Sequence, residues 1–298
     1  MLFVTTTAAA RIERAEAAVA RDFGLQARAR GTEVLIEAIG GTSAVYGGPG
    51  QPFSKVVGLG FAPLDEAELA AVEAEYDARG GEIRVEQATL ADPAVASLLT
   101  RRGYELIGYE NVLGLELTAA ARDAFARACD ADAARGLRIG PATDGELRTW
   151  IETVAEGFVH PDTFDGPPPT ETFGRDVIEQ IYADFGATPG VTLYLARRDD
   201  AIAGGGSLRL SDGLAQLAGA ATLPAHRRRG VQSALLRARL LDAAHRGCDL
   251  AVVTTEPASK SQENVQRAGF TLLYARAILV RRPRTTEGAD ITNRIKLD

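Results

Sequence analysis

A stretch in the second half of the chain, residues 218–236, changes from strand to helix across a proline and a glycine. Its first part is a run of small residues that Pro224 must end, because proline cannot donate to a strand ladder. Beyond Ser233, apolar residues recur at helical spacing, and Gly247 stands just past the last turn as a stop signal. The chain must therefore form a strand, a sharp loop and a helix in direct succession.

The loop between that strand and that helix, Arg227–Gly230, carries three arginines and one glycine. A helix that begins here directs unpaired backbone N–H groups and the positive end of its dipole into the loop. Gly230 lets the backbone approach a ligand closely. The pattern predicts an anion site suited to a pyrophosphate, and a solvated basic turn is the alternative interpretation.

This loop resembles the coenzyme A loop of the GNAT superfamily of N-acetyltransferases, whose pattern is Gln/Arg-x-x-Gly-x-Gly/Ala. Arg227 and Gly230 match the pattern. Gln232 stands where a second small residue is usual, so its side chain is expected to turn away from the phosphates, with a negative φ. Pro224 before the loop and the Gly269–Phe270 pair after the next helix also resemble the superfamily.

Two intervals of the sequence are similar to each other. The chain has 298 residues, which are enough for two domains. The glycines that bound 81–103 and those that bound 247–269 are each 22 positions apart. In both intervals the order is strand, loop, helix and then Arg-x-Gly-aromatic. We interpret this similarity as a tandem repeat of one fold. The alternative is that any two α/β units share such an order of elements.

The predicted fold class is therefore α/β (α+β), with two GNAT-like mixed-sheet domains in tandem and helices on both faces of each sheet. The resemblance itself covers roughly residues 137–282. The predicted parts are a degenerate GNAT-like domain at 1–118, a helical linker at 119–136, an acetyltransferase domain at 137–283 and a polar tail at 284–298.

The first half differs from the second where a coenzyme would bind. Residues 63–81 contain no Arg-x-x-Gly loop, and three carboxylates stand at the helix start instead: Asp65, Glu66 and Glu68. Carboxylates there satisfy the helix dipole and would repel a pyrophosphate. We infer that this half has lost coenzyme binding and has a structural or substrate-shaping role. Binding of another, uncharged ligand through the loop 40–52 is the alternative.

Periodicity and breaker residues predict the other elements. The predicted helices are 11–24, 65–79, 93–102, 119–135, 144–157, 172–185, 233–246 and 261–268. The predicted strands are 33–39, 55–61, 82–86, 104–117 as a strand or hairpin, 137–139, 193–197, 204–209, 216–223, 249–254 and 271–281 as a strand pair. Residues 40–52 and 160–169 are predicted loops.

The resemblance implies a set of acetyl-CoA-binding residues: Ala221, Thr222, Leu223, Arg227, Arg228, Arg229, Gly230, Val231, Gln232, Ser233, Ser261 and Asn264. In this fold a backbone N–H of the strand, here near Ala220 or Ala221, donates to the thioester oxygen. Small residues at 219–221 leave room for the pantetheine arm, with packing as the alternative. For Ser261 the alternative is helix capping.

The acceptor must arrive as a neutral amine, so a general base is useful. Glu256, at the end of an apolar strand, is the first candidate, and Glu156 and His160 are second candidates; a solvated loop acid is the alternative. Many superfamily members carry a tyrosine four residues before the Gly-Phe glycine that protonates the leaving thiolate. That position is Val265 here. Tyr274 is the nearest tyrosine along the chain, with a position in the core as its alternative.

Composition narrows the expected partners and location. The net charge is −7, and the short run Arg227–Arg229 is too local for a nucleic-acid footprint. Cys129 and Cys248 lie far apart, which favours a reducing cytosol, with a single disulfide as the alternative. The three histidines lack ligand spacing, so no metal site is expected. No run is long enough to span a bilayer. We expect a cytoplasmic protein without nucleic-acid or membrane partners; a homo-oligomer remains open.

The resemblance implies an N-acetyltransferase that moves an acetyl group from acetyl-CoA to a primary amine by direct attack. The acceptor would be a small-molecule or peptidyl amine, and the acidic net charge favours a cationic one through steering. The alternative is a non-catalytic acyl-CoA-binding sensor or regulatory protein, which the missing tyrosine favours. A nucleotide-binding regulator is disfavoured, because no Walker lysine follows Gly230.

Overall fold

The computed structural model describes residues 2–160 and 174–283. The predicted tail at 284–298 and all but His160 of the predicted loop at 160–169 lie outside those residues. The helices are α1 (Thr6–Ala29), α2 (Glu66–Ala78), α3 (Pro93–Arg101), α4 (Ala119–Ala134), α5 (Leu147–Val159), α6 (Arg175–Gly186), α7 (Val231–His245) and α8 (Lys260–Arg267). The strands are β1 (Leu35–Ile39), β2 (Thr42–Tyr46), β3 (Val56–Val57), β4 (Ile83–Ala88), β5 (Glu105–Glu116), β6 (Leu137–Pro141), β7 (Val191–Arg198), β8 (Ala201–Ser211), β9 (Leu214–Thr222), β10 (Leu250–Thr255) and β11 (Thr271–Arg281).

The eleven strands of the described ranges form one mixed sheet in the order β1-β2-β3-β4-β11-β5-β10-β9-β8-β7-β6. The succession β1-β2-β3-α2-β4-α3-β5 returns as β7-β8-β9-α7-β10-α8-β11. The repeat also extends to strand direction, because β3 pairs in parallel with β4 and β9 pairs in parallel with β10. The predicted tandem repeat is therefore confirmed.

The last strand of each half lies against a strand of the other half. Strand β5 pairs antiparallel with β10, strand β11 pairs antiparallel with β4, and β5 and β11 pair with each other. Without this exchange β4 and β10 would present unpaired backbone groups along an open edge. The two predicted sheets are consequently one continuous sheet, and the predicted domain boundaries stay predictions.

Helices cover both faces of this sheet, as predicted. Alternate residues of a strand point to opposite faces, and β5 shows the separation: Val112 packs with α1 residues, while its neighbour Leu113 packs with α7 residues. Helices α5 and α6 share the α1 face through the clusters around Trp150 and Phe185. Helix α4 lies on α7, where Arg237 Nη2 and Asp132 Oδ2 are 2.6 Å apart.

Some predicted elements are corrected. The Gly-rich stretch 40–52 contains strand β2, because Gly40 and Gly41, with φ values of +52° and +75°, form a two-residue hairpin turn after β1. Residues 104–117 and 271–281 each form a single long strand, and the predicted strand 55–61 shortens to β3. No helix within 2–160 and 174–283 has both the length and the apolar character needed to cross a membrane.

Candidate functional site

Strands β9 and β10 separate toward their carboxyl ends. They pair only through 214–216 and 250–252. Beyond that point residues 253–255 pair with β5 on one side, and β9 continues to pair with β8 on the other. A gap therefore opens in the middle of the sheet, and it widens toward the edge at which the Arg227–Gly230 loop follows β9.

A bulge in β9 lies beside this gap. Gly205 of β8 pairs with Ala221, whereas Ser207 pairs with Ala218, so β9 carries one extra residue between these two pairs. Gly219 in the bulge has a φ of +53°, which is the left-handed region that favours glycine. Bulges re-aim backbone groups, and this one lies directly before Ala220 and Ala221, where an N–H donor to the thioester was predicted.

Arg239 of α7 supports the bulge from one face. Its Nη1 donates to the carbonyl oxygens of Ser207 and Ala218, at 2.8 and 3.3 Å, and the side chain is buried. Gly206 makes room for it, since a Cβ there would lie 3.1 Å from the Arg239 Cζ. Burial lowers the pKa of Arg239 to about 10.

Trp150 of α5 supports the bulge from the opposite face. Its Nε1 donates to the carbonyl oxygens of Tyr194 and Gly206, both at 3.1 Å. Tyr182 of α6 packs edge-on against the Trp150 ring, and a Cβ at Gly219 would lie 3.0 Å from Tyr182 Cε1. The bulge is thus fixed between an arginine on one face and two aromatic rings on the other.

Gly219→Ala is expected to lower kcat at least tenfold, because the bulge must shift to relieve both the left-handed backbone and the contact with Tyr182. Stability should fall by about 1–2 kcal/mol. Gly50→Ala is the matched control, since Gly50 also has a positive φ (+70°) and open space around its Cβ position. Steady-state kinetics measure kcat, and urea unfolding measures the free energy of unfolding. A Gly219→Ala variant that kept the wild-type kcat, as Gly50→Ala should, would contradict the prediction.

The start of α7 presents open backbone donors. Gly230 is the N-cap, with a φ of +81° and no side-chain capping bond, and the first helical hydrogen bond runs from the Ala234 N–H to the Gly230 oxygen. The N–H groups of residues 231–233 therefore make no hydrogen bond to any other group in the described part of the chain. A Cβ on Gly230 would meet nothing within 4 Å, so the approach to these donors is open.

The three arginines of the loop have different surroundings. Arg227 donates to the carbonyl oxygens of Thr222 at 3.3 Å and Gly157 at 3.4 Å, and also to that of His160. It thereby ties the end of β9 to the end of α5. Arg228 and Arg229 are exposed, so they are the loop cations with access to an anion at the helix start.

The predicted residues of α8 lie in its first two turns. Ser259, not Ser261, is the N-cap, since its side chain accepts from the Gln262 N–H. Ser261 is exposed and Asn264 is half-buried, so the capping interpretation of Ser261 does not apply. Both stay predicted coenzyme contacts.

The predicted acid–base residues differ in how well they are placed to act as a base. Glu256 follows β10 and is half-buried at the wide end of the gap. Glu156 lies 2.7 Å from the Arg175 guanidinium, whose hydrogen bond lowers the Glu156 pKa, and 3.1 Å from His160. A carboxylate held in this way is a weaker base, which leaves Glu256 as the better placed of the predicted candidates.

Tyr274 lies in the core, the alternative that the sequence left open. Its hydroxyl donates to Glu13 Oε1 at 2.7 Å, and burial raises its pKa. Strand β5 separates β11, which carries Tyr274, from β10. Val265, at the usual position of the acid, is also buried. This geometry argues against Tyr274 as the acid for a thiolate in the gap.

A cavity of about 230 Å³ lies where β9 and β10 separate. Its lining includes successive residues of β9, Gln216 and Leu217, and of β10, Val252 and Val253. Because successive strand residues face opposite sides, the cavity reaches through the gap. Its charged and polar lining residues carry no sequence motif that predicts a site: Glu16 of α1, Arg209 of β8, Gln216 of β9, Thr254 of β10 and Arg276 of β11.

Buried ion pairs between α1 and the sheet surround this cavity. Arg276 Nε donates to Glu13 Oε1 at 2.9 Å, and Lys55 Nζ lies 3.1 Å from Glu16 and 3.2 Å from Glu86. Burial by itself would raise the pKa of Glu16, but Lys55 and Arg276 lower it to about 2. Glu16 is thus a firmly ionised carboxylate on the cavity wall.

Glu110 belongs to the same cluster and should make stability depend on pH. Burial and the neighbouring Glu86 raise its pKa to about 7, although Lys55 and Arg276 oppose the shift. A carboxyl whose pKa is raised in the folded state stabilises the fold below its unfolded pKa of 4.5, and this contribution is lost as the pH rises through 7. Glu110→Gln, which mimics the protonated form, is expected to be the more stable protein above pH 7, by up to about 3 kcal/mol.

Urea unfolding at pH 5 and pH 8.5 measures this difference. Exposed Glu105 on the same strand provides the control variant, Glu105→Gln, which should follow the wild type at both pH values. A Glu110→Gln stability gain that is equal at the two pH values would contradict a raised pKa.

Comparison with known proteins agrees with this geometry. Residues 159–270 match the acetyltransferase (GNAT) family. The fold is similar to that of a GCN5-related N-acetyltransferase from Kribbella flavida, with a TM-score of 0.58 and 18% identity over 91% of this chain and 96% of that one. It is also similar to a tandem GNAT protein from the clavulanic acid biosynthesis pathway, with a TM-score of 0.57 and 12% identity over 85% and 84% of the two chains. No curated protein matches the sequence.

The fold and the gap between the strands define a tandem GNAT fold. The match to the acetyltransferase (GNAT) family lies within the second repeat of that fold, at residues 159–270. Among the described residues, no three His, Cys, Asp or Glu side chains are grouped so that they could hold a metal ion.

Proposed function

We propose that the protein is an N-acetyltransferase that moves an acetyl group from acetyl-CoA to a primary amine by direct attack. One observation supports this most strongly: the gap between β9 and β10 leads from the open N-terminus of α7 to a polar cavity on the α1 face. Along β9, the bulge lies only three residues, or about 10 Å, before the end of the strand. A coenzyme arm can therefore reach from the loop to the cavity along one strand.

The residues present fit acetyl-CoA. The N–H groups of 231–233 and the exposed Arg228 and Arg229 would hold the pyrophosphate, as helix N-termini hold anions. When bound, acetyl-CoA supplies a thioester carbonyl that an amine can attack. A backbone N–H at Ala220 or Ala221 would stabilise charge on the carbonyl oxygen, and Ser261 and Asn264 would contact the coenzyme from α8.

An amine that enters as its ammonium form must lose two protons as the amide forms: one leaves with the thiol and one goes to a base or to solvent. Glu256 is the base predicted from the sequence, and it lies at the wide end of the gap. Glu256→Gln tests this role: the variant is expected to lose the acidic limb of the profile of kcat/KM against pH, and an unchanged profile would contradict it.

The test of the proposed function combines coenzyme binding with thiol release. Acetyl-CoA is expected to raise the melting temperature of the wild type, by linkage, and thiol should appear when an amine panel is added. Coenzyme binding with no thiol release from any amine would support a non-catalytic acyl-CoA sensor, the alternative that the buried positions of Val265 and Tyr274 favour. An unchanged melting temperature would contradict both functions.

A further inference from the structure

We propose that the acceptor is a small primary amine that also carries a carboxylate, such as an α-amino acid with an apolar side chain, and that Arg276 and Arg209 bind this carboxylate. The proposal rests on the proposed function, because it assigns the acceptor side of the same gap. It is carried by unpaired donors in the wall of the cavity.

Arg276 is a buried cation with one free donor. Its side chain is 1% exposed, and its Nε donates to Glu13 at 2.9 Å. Its Nη1 lies 3.4 Å from the Thr254 hydroxyl and 3.6 Å from both Glu86 and Glu110. The remaining nitrogen, Nη2, has no hydrogen-bond partner among the groups that the structure describes. Arg276 lines the cavity, so this donor has an acceptor only if a ligand provides one.

Arg209, on the opposite wall of the cavity, is also a buried cation with one free donor. Its side chain is 6% exposed; Nη2 lies 2.8 Å from Asp22, and Nη1 donates to the Gln216 side chain at 2.8 Å. Its Nε is buried without a partner in the described part of the chain. Buried donors without partners are costly, and one carboxylate offers enough acceptor sites for both guanidinium groups.

The carboxylate of Glu16 lines the same cavity and can bind the amine of the acceptor. Glu16 is ionised, and its Oε2 lies 3.4 Å from Gln216 Nε2, beside the last paired residues of β9 and β10. An amine held there lies at the mouth of the gap, where the thioester is expected. Two guanidinium groups and one carboxylate together match a molecule that carries both charges.

The volume and the apolar lining of the cavity restrict the remaining part of the acceptor molecule. About 230 Å³ is less than the roughly 300–1,000 Å³ of pockets for drug-sized ligands, which disfavours an aminoglycoside. The side chains of Val19, Phe185 and Val252 complete the wall. An apolar amino-acid side chain fills such a space and excludes water from the amine.

The test compares matched acceptors on the wild-type protein: L-leucine, its uncharged amide L-leucinamide, and the decarboxylated 3-methylbutylamine. We expect L-leucine to have a kcat/KM at least tenfold higher than either analogue, because a site with buried donors rejects a ligand that leaves them unpaired. Calorimetry with CoA present should give the same order of affinities. Equal or better turnover of 3-methylbutylamine would overturn this proposal and leave the N-acetyltransferase intact, whereas absence of both coenzyme binding and thiol release would overturn the proposed function itself.

Arg276→Lys keeps the charge but removes the planar donor pair. It should raise the KM for L-leucine at least tenfold and leave the KM for 3-methylbutylamine unchanged. Arg84→Lys is the matched control, because Arg84 is buried in the same charged cluster but does not line the cavity. A similar loss in both variants, or a loss that affects both substrates equally, would refute the role of Arg276; if Arg276→Lys fails to fold, the wild-type comparison decides.

Discussion

Gly230→Asp is expected to lower the affinity for acetyl-CoA by at least a hundredfold. The new carboxylate would stand at the N-cap of α7, where it would accept from the open N–H groups of residues 231–233 and repel a pyrophosphate. Two charge-assisted hydrogen bonds lost to phosphate account for about 3 kcal/mol or more, which corresponds to that factor. Isothermal titration of both proteins with acetyl-CoA measures the change.

Gly230→Asn is the matched control for this substitution. Asparagine has nearly the same shape as aspartate and tolerates a positive φ equally well, so it places the same bulk at the N-cap without the charge. We expect it to bind acetyl-CoA several-fold to tenfold more weakly than the wild type but clearly more tightly than Gly230→Asp. Equal affinities of the two variants would show that bulk, and not charge at an anion site, governs binding.

Glu13→Leu is expected to cost about 3–5 kcal/mol of stability. Glu13 and Arg276 form an ion pair at 2.9 Å in which both side chains are 1% exposed. Removing Glu13 takes away the nearest of the carboxylates around the buried Arg276, whose Nη1 lies 3.6 Å from both Glu86 and Glu110. The Tyr274 hydroxyl loses its acceptor as well. Urea unfolding measures the change in the free energy of unfolding.

An exposed ion pair provides the control for Glu13→Leu. Arg282 and Glu105 also lie 2.9 Å apart, but their side chains are 68% and 66% exposed. Glu105→Leu should therefore change the free energy of unfolding by no more than about 1 kcal/mol. A Glu13→Leu effect within that range would mean that Arg276 does not depend on Glu13 for compensation.

The local parts of this fold could be predicted from the sequence. The proline that ends β9, the glycine that begins α7 and the repeated Arg-x-Gly-aromatic ends are short-range signals, and each reflects backbone conformation within a few residues. Strand β2 was missed, because Gly40–Gly41 was interpreted as part of a loop and not as a hairpin turn.

The non-local parts could not be predicted. The composition of β5 and β11 does not indicate that each pairs with a strand of the other half, since that pairing joins residues more than 130 positions apart. Glu13 and Glu16 stand next to the apolar positions of α1 and are indistinguishable from solvated acids in sequence. Glu13 is a buried acceptor for Tyr274 and Arg276 of β11, which lie 261 and 263 positions away.

A crystal structure with acetyl-CoA bound tests the central claim most directly. We predict that the pyrophosphate lies on the N–H groups of residues 231–233 and that the acetyl carbon lies in the gap between β9 and β10, beside the Gly219 bulge. A coenzyme bound elsewhere, or one whose thioester stays outside this gap, would contradict the assignment of acyl transfer to this site.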